Sequence, residues 1–306
     1  MSTGITNGVL AIDNGGSSTC VVTKSVNESF PSVKGLYGNR TLTNINGKYD
    51  YVVDYEGKKY VMGTLAKYDC PYPLQMHTDT KQHIFFDLSI LVAIHQFGYS
   101  VNHLVVSVPI SMHNDEEKYG IIERLLGQHT IVVNGHRKSF TIMDVKVAPE
   151  TAVAFWINEP EGKNRFIDLG SRTIGYATTL YEDGVNRFID SESGTFKGKG
   201  LEALNDSYNQ EALSDYICGR LMSMWNKNDN VYLLGGGALD RLLVEGINSY
   251  FPKSNVMGNP KMANAIGMYL LGRIAYNMEW NEGRWLFTPF WSNITDSCLT
   301  YPKFLS

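Results

Sequence analysis

The sequence predicts a mixed α/β protein of two lobes, and three observations predict it. Strand-like apolar runs alternate with helix-like patterns from residue 9 to about 278 of the 306. A hairpin-like stretch near the N-terminus returns 155 residues later. The hydrophobic content of 43% is enough to bury a core in each half.

Composition excludes several classes. The formal net charge is −4, so no basic excess points to direct nucleic-acid binding. The opening MSTGITNG has neither a charged n-region nor an apolar h-region, and no apolar run approaches the roughly 20 residues that cross a bilayer. A cytoplasmic location without a membrane span is therefore expected. Cys20, Cys70, Cys218 and Cys298 are scattered with no CxxC, which fits reduced thiols. The seven histidines show no ligand spacing, so no structural metal is expected.

The first half opens on VLAIDNGGSSTC (9–20), an apolar run ending on Asp13, a turn with Asn14, Gly15 and Gly16, then Ser17, Ser18 and Thr19. Residues of about 28–80 read as a small β-rich insertion, with YDYVVDYEGKKYVMG (49–63) a hairpin around Glu56-Gly57. Its tyrosines fit either a contact surface or simple β-propensity. HIFFDLSILVAIHQFG (83–98) has helical spacing, with a left-handed cap expected at Gly98. HLVVSVPI (103–110) reads as a buried strand, DEEKYGIIERLLG (115–127) as a helix, and IVVNGHRKSFTI (131–142) as a hairpin turning at Asn134-Gly135.

VKVAPETAVAFWI (145–157) passes from strand to short helix, with Pro149 expected in the helix's first turn. Three strands should follow within 164–193, then a Gly-rich loop, GTFKGKG (194–200), and helices over about 201–208 and 211–225. VYLLGGGAL (231–239) is a strand running through Gly235, Gly236 and Gly237 into a helix, and a long apolar helix covers about 262–278. The expected lobes are 1–147 and 148–280, the last helix packing back toward the first lobe, followed by an aromatic tail at 281–306 that could cap the fold, bind a partner or pair with another protomer.

FIDLGSRTIG (166–175) repeats the opening stretch. The same offset carries Asp13 to Asp168, Gly15 to Gly170, Gly16 to Ser171 and Ser18 to Thr173. Each half thus holds an acid, a tight turn and hydroxyls. A turn acid bonded to its own backbone would need no ligand. Two such hairpins facing each other would form a clamp: the turns donate hydrogen bonds to a phosphate chain, and the acids hold a metal with its waters.

The motifs together resemble those of the superfamily of actin, sugar kinases and heat-shock chaperone ATPases. The first phosphate motif is similar to Ile12–Thr19 and the second to Ile167–Thr173, including Arg172. The connecting motif is similar to Ala148-Pro149-Glu150-Thr151-Ala152-Val153-Ala154, the adenosine motif to Leu234-Gly235-Gly236-Gly237-Ala238, and the second connecting helix to Asn264-Ala265-Ile266-Gly267-Met268-Tyr269. The wording most resembles bacterial, plasmid or phage actin-like proteins of the ParM plasmid-segregation type. The chain departs where many members carry a further acid, at Gly175, and a second Gly, at Arg172.

The resemblance implies an actin-like ATPase fold: two duplicated ribonuclease-H-like lobes around a nucleotide cleft, binding ATP (or GTP) with Mg²⁺. Asp13 and Asp168 would hold the metal through water. Glu150 would act as general base, although a helix N-terminus would also favour a Glu there. Gly198 and Gly200 are candidates for close approach to the nucleotide. The implied function is a head-to-tail filament, acting through an adaptor on plasmid or phage DNA. The rivals are a small-molecule kinase of the same fold, which generally needs a further acid near the cleft, and a non-hydrolysing nucleotide-binding scaffold.

Overall fold

The computed structural model describes residues 6–38, 44–45, 47–74, 79–204 and 207–278. The aromatic tail expected at 281–306 lies outside them, as do residues 205–206.

The first half begins as an antiparallel meander: β1 (Asn7–Asn14), β2 (Ser18–Val22) and β3 (Asn27–Pro31). After the insertion come α2 (Ile84–Phe97), β7 (Val101–Val108), α3 (Asp115–Leu125), β8 (Gly127–Val133) and β9 (His136–Pro149). The insertion holds β4 (Lys34–Leu36), β5 (Asp50–Tyr55), β6 (Lys58–Gly63) and α1 (Thr64–Asp69). These nine strands form one sheet in the order β3-β2-β1-β7-β9-β8-β5-β6-β4, with β7 parallel to both β1 and β9.

The second half repeats this frame. β10 (Gly162–Leu169), β11 (Thr173–Glu182) and β12 (Val185–Phe188) form the meander, and β14 (Asn230–Leu234) and β15 (Ser254–Val256) add in parallel, giving β12-β11-β10-β14-β15. Register repeats too. Asp13 pairs with Cys20 and Asp168 with Gly175, and Ile12 pairs with Val21 as Ile167 pairs with Tyr176. The repeat noticed in sequence is therefore a repeat of strand topology.

Helices cover the sheets. α2 packs its buried face, including Phe86, Leu88 and Leu91, on the first sheet. α4 (Gln210–Leu221) and α5 (Arg241–Tyr250) cover one face of the second through Leu213, Ile217, Leu243 and Ile247. α6 (Ala263–Ala275) contacts β1, β2 and β7 of the first sheet, its Ala265, Met268 and Leu271 meeting Ala11, Val22 and Val105. A side chain at Gly267 would overlap the Val153 carbonyl, so the close approach of α6 to the segment after β9 requires glycine. Among the described residues, no helix is long and apolar enough to cross a membrane.

Several local expectations change. Gly98 ends α2 but is extended (φ −89°, ψ −177°), so α2 closes without a left-handed residue. Pro149 is the last residue of β9, because the strand continues in register with β7 as far as Val108; Ala152–Ile157 then forms a 3₁₀ turn. Residues 194–197 of the Gly-rich loop are a strand, β13 (Gly194–Lys197), paired with β11. Residues 201–204 form a turn hydrogen-bonded to the second hairpin. In the insertion Tyr51 and Tyr60 are core residues, whereas Tyr68 is 78% exposed, so β-propensity and packing explain most of that enrichment.

Candidate active site

The parallel strands set the site. In open α/β sheets the carboxyl ends of strands present ligand-binding loops, and both sheets here put an acid at such an end. Asp13 is the penultimate residue of β1 and Asp168 that of β10, and Glu150 follows β9, its N–H bonded to the Val108 carbonyl at 2.8 Å. The two turns touch. A side chain at Gly16 would overlap the Arg172 side chain and come within 2.8 Å of the Ser171 hydroxyl. The turns are also built alike: Gly15 lies against the carbonyl of Ser18, and Gly170 against that of Thr173.

Three side chains tie the acids together. Ser107 donates to Asp13 at 2.9 Å. Asn264, from the first turn of α6, donates to Asp168 at 2.7 Å and accepts the Thr151 N–H at 2.9 Å. Lys81 reaches in ahead of α2, donating to the Asn14 carbonyl at 2.8 Å and standing 3.7 Å from Glu150. Thr80 and the Lys81 N–H are themselves held by Glu117 of α3, which fixes the segment that carries the lysine.

Sequence reasoning missed Lys81, Ser107 and Asn264 as site residues. Ser107 and Asn264 left a trace, being polar residues in apolar runs. Lys81 left none, because a tertiary approach of a loop residue to a turn 67 positions away has no local signature.

Of the expected phosphate residues, Ser17 and Ser18 line a cleft of about 340 Å³ shared with Phe30, Lys67, Glu202 and Lys261. That volume is within the roughly 300–1,000 Å³ of small-molecule sites. Residues from both halves border it. Thr19 is turned inward instead: its hydroxyl bonds Asn14 Oδ1 at 3.0 Å and Ser32 at 2.9 Å, which orients Asn14 and leaves Asn14 Nδ2 buried without a partner. Gly200 packs on the second turn, its N–H bonded to the Arg172 carbonyl, and Leu201 N–H bonds that of Gly170. So Gly200 supports the turn, while Gly198, at φ 65°, faces open space.

In the triple glycine, a side chain at Gly235 (φ 83°) would overlap Asp168, and one at Gly237 would press on Leu169. Gly236 alone borders open space, and Ala238 is buried in the second core.

Burial raises all three acids above their ordinary values. Glu150 is pushed up to about 8 by burial, with Asp13 and Asp168 adding to the rise and Lys81 opposing it. Asp168 is pushed to about 7 by burial, against the Asn264 hydrogen bond. Asp13 rises for the same first reason, with Lys81 and Ser107 opposing it. Lys81 thus opposes the rise at both Glu150 and Asp13. Once ionised, these acids fit a hydrated divalent cation between the turns, although no three Asp, Glu, His or Cys among the described residues form a direct cage.

A pH dependence follows. Without nucleotide, the folded chain holds protons on Glu150 and Asp168 that the unfolded chain releases above its ordinary values of 4.5 and 3.8. The folded state binds more protons in that window, so these groups' stabilisation is complete at acid pH and is lost as pH rises through about 7 and 8. Melting temperature measured from pH 5.5 to 8.5 should fall more steeply for wild type than for Glu150→Gln/Asp168→Asn. Equal slopes would exclude these acids as the cause.

Comparison with known proteins bears on the fold. Residues 11–152 match the family described as the N-terminal domain of actin-like proteins. No curated protein matches the chain. Among solved structures it is similar to a 15-stranded ParM filament from Clostridium botulinum (18% identity, 88% of this chain and 100% of that one, TM-score 0.72). It is also similar to the filament of AlfA from the B. subtilis plasmid pLS32 (20%, 86% and 98%, TM-score 0.70) and to an AlfA filament bound to AMPPNP (19%, 89% and 99%, TM-score 0.69). The fold is the actin-like fold, as the motifs implied.

Proposed function

We propose that this chain is an actin-like ATPase that binds and hydrolyses Mg-ATP between its lobes and assembles head-to-tail into filaments that position plasmid or phage DNA through an adaptor protein. One observation carries the reading: Asp13, Glu150 and Asp168, from both halves of a duplicated fold, converge with Lys81 where two glycine turns meet. The lobes are taken as 1–147 and 148–280.

The chain's residues divide the work. Ser17 and Ser18 in the cleft, with the Ser171 hydroxyl on the facing turn, offer donors to the phosphates, and Gly236 leaves room for the base and ribose. Glu202 and Lys261 border the same cleft. Asp13 and Asp168 would hold hydrated Mg²⁺, which when bound neutralises phosphate charge. Glu150, once ionised, takes the proton of the attacking water, and Lys81 favours that ionised form. ATP over GTP follows the AMPPNP-bound relative alone.

Filament growth needs heterologous contacts that do not close into a ring. High-speed pelleting with ATP, GTP, AMPPNP or no nucleotide, run beside phosphate release, tests the whole reading. Nucleotide-dependent pelleting with slow phosphate release is expected. Turnover only with an added sugar or acid, without pelleting, would indicate a kinase. Nucleotide binding without turnover would indicate a scaffold.

A further inference from the structure

Thr151 combines three features that its neighbours do not explain. It is 1% exposed, yet its hydroxyl has no hydrogen-bond partner, whereas buried hydroxyls are ordinarily satisfied. Its backbone lies at φ 69°, ψ −59°, closed by a 2.8 Å bond from the Ala152 N–H to the Glu150 carbonyl, a strained γ-turn that β-branched residues rarely adopt. And it takes the place of another side chain. Gly175 pairs with Asp168 across β10 and β11, so a side chain at 175 would stand beside Asp168 on the same face. A Cβ built there would lie 3.4 Å from the Asp168 Cβ and would overlap the Thr151 hydroxyl.

The strained turn therefore puts a hydroxyl beside Asp168, one residue after Glu150, where a glycine on β11 makes room. The rest of Thr151 is anchored: its N–H bonds Asn264, which bonds Asp168. Only the hydroxyl is left over. Strain of this kind persists where the surroundings over-determine it, and it gathers at functional sites.

We infer that Thr151 is a positioning residue whose hydroxyl holds the attacking water between Glu150 and the Asp168 side of the site. The inference rests on the hydrolase reading. In that step the water oxygen bonds to the γ-phosphorus, the bond from that phosphorus to the bridging oxygen breaks to leave ADP, and the water's proton goes to the Glu150 carboxylate. Thr151 gains and loses no proton; it fixes the water's direction of approach.

The test compares full-length wild type with Thr151→Val, which keeps the shape and loses the hydroxyl, and Thr151→Ser, which keeps the hydroxyl. Val is expected to lower kcat by about tenfold or more, with KM for Mg-ATP and affinity for AMPPNP unchanged. Its nucleotide-free melting temperature should equal or exceed that of wild type, because an unsatisfied buried hydroxyl is removed. Ser should restore most of kcat. Wild-type kcat in Val, equal loss in Val and Ser, or a lowered melting temperature in Val would each overturn the positioning role. If wild type binds AMPPNP but never hydrolyses ATP, the hydrolase reading fails and this role with it. Hydrolysis by wild type and Val alike sinks Thr151 alone.

Discussion

Glu150→Gln is expected to slow ATP hydrolysis by about 10²- to 10⁴-fold while leaving AMPPNP affinity close to wild type. The size follows from the role. Glu150 is one of three buried acids, and Lys81 stands 3.7 Å from it. Glutamine keeps the shape and can still hydrogen-bond a water, but it cannot accept the proton. Because burial holds the Glu150 carboxyl near 8 without nucleotide, the wild-type rate should climb with pH until that group is ionised. The variant's residual rate should lack that ascending limb. Filaments supply a second reading: if hydrolysis weakens subunit contacts, Glu150→Gln should pellet with ATP and stay pelleted. A variant with wild-type turnover would remove Glu150 from the chemistry, and one that no longer binds AMPPNP would make it a structural acid.

Much of this geometry was legible in the sequence because it is local or repeated. The acid-turn-hydroxyl pattern is local, and its recurrence at one offset appears as identical strand register in the two meanders. The turns at Glu56-Gly57 and Asn134-Gly135 were equally readable, since both residues of each have positive φ in the structure. What escaped depends on packing between distant segments. Pro149 reads as a helix start only until β7 is known to extend beside it. Gly200 gives no sign in sequence that it also packs on the second turn. Lys81 and Thr151 are ordinary residues in sequence; the site role of each comes from its partner's position. The insertion gave no hint that Lys34, 0% exposed, would run its ammonium into the start of α2 to meet the Phe85 carbonyl at 2.8 Å and the Ser89 hydroxyl.

Arg165 shows the same limit with a larger energetic consequence. It sits within the apolar run of β10 at the position where β1 carries the fully buried Leu10, and it is itself 3% exposed. Its guanidinium donates to Asp229 at 2.8 Å and to Thr178 at 2.5 Å, pairs with Glu192, and lies 5.3 Å from the Trp225 ring centre. Arg165→Leu copies the other lobe's solution, yet it should destabilise the protein by about 3 kcal/mol, since removing one partner strands the others. The figure belongs at the lower end of the usual range because Glu192 and Asp229 each remain about a fifth exposed to water. A loss of that size should lower the melting temperature by about 5 °C. Adding Glu192→Gln and Asp229→Asn should recover part of it, because the residual penalty lies in unpaired acids rather than in lost packing. If Arg165→Leu melts like wild type, the network contributes nothing net. If the triple variant is no better than the single, packing against Trp225 is what Arg165 supplies. Either result also bears on the site, because β10 carries Arg165 near its middle and Asp168 toward its end. A strand loosened at one should misplace the other, and ATP turnover should then fall with the melting temperature.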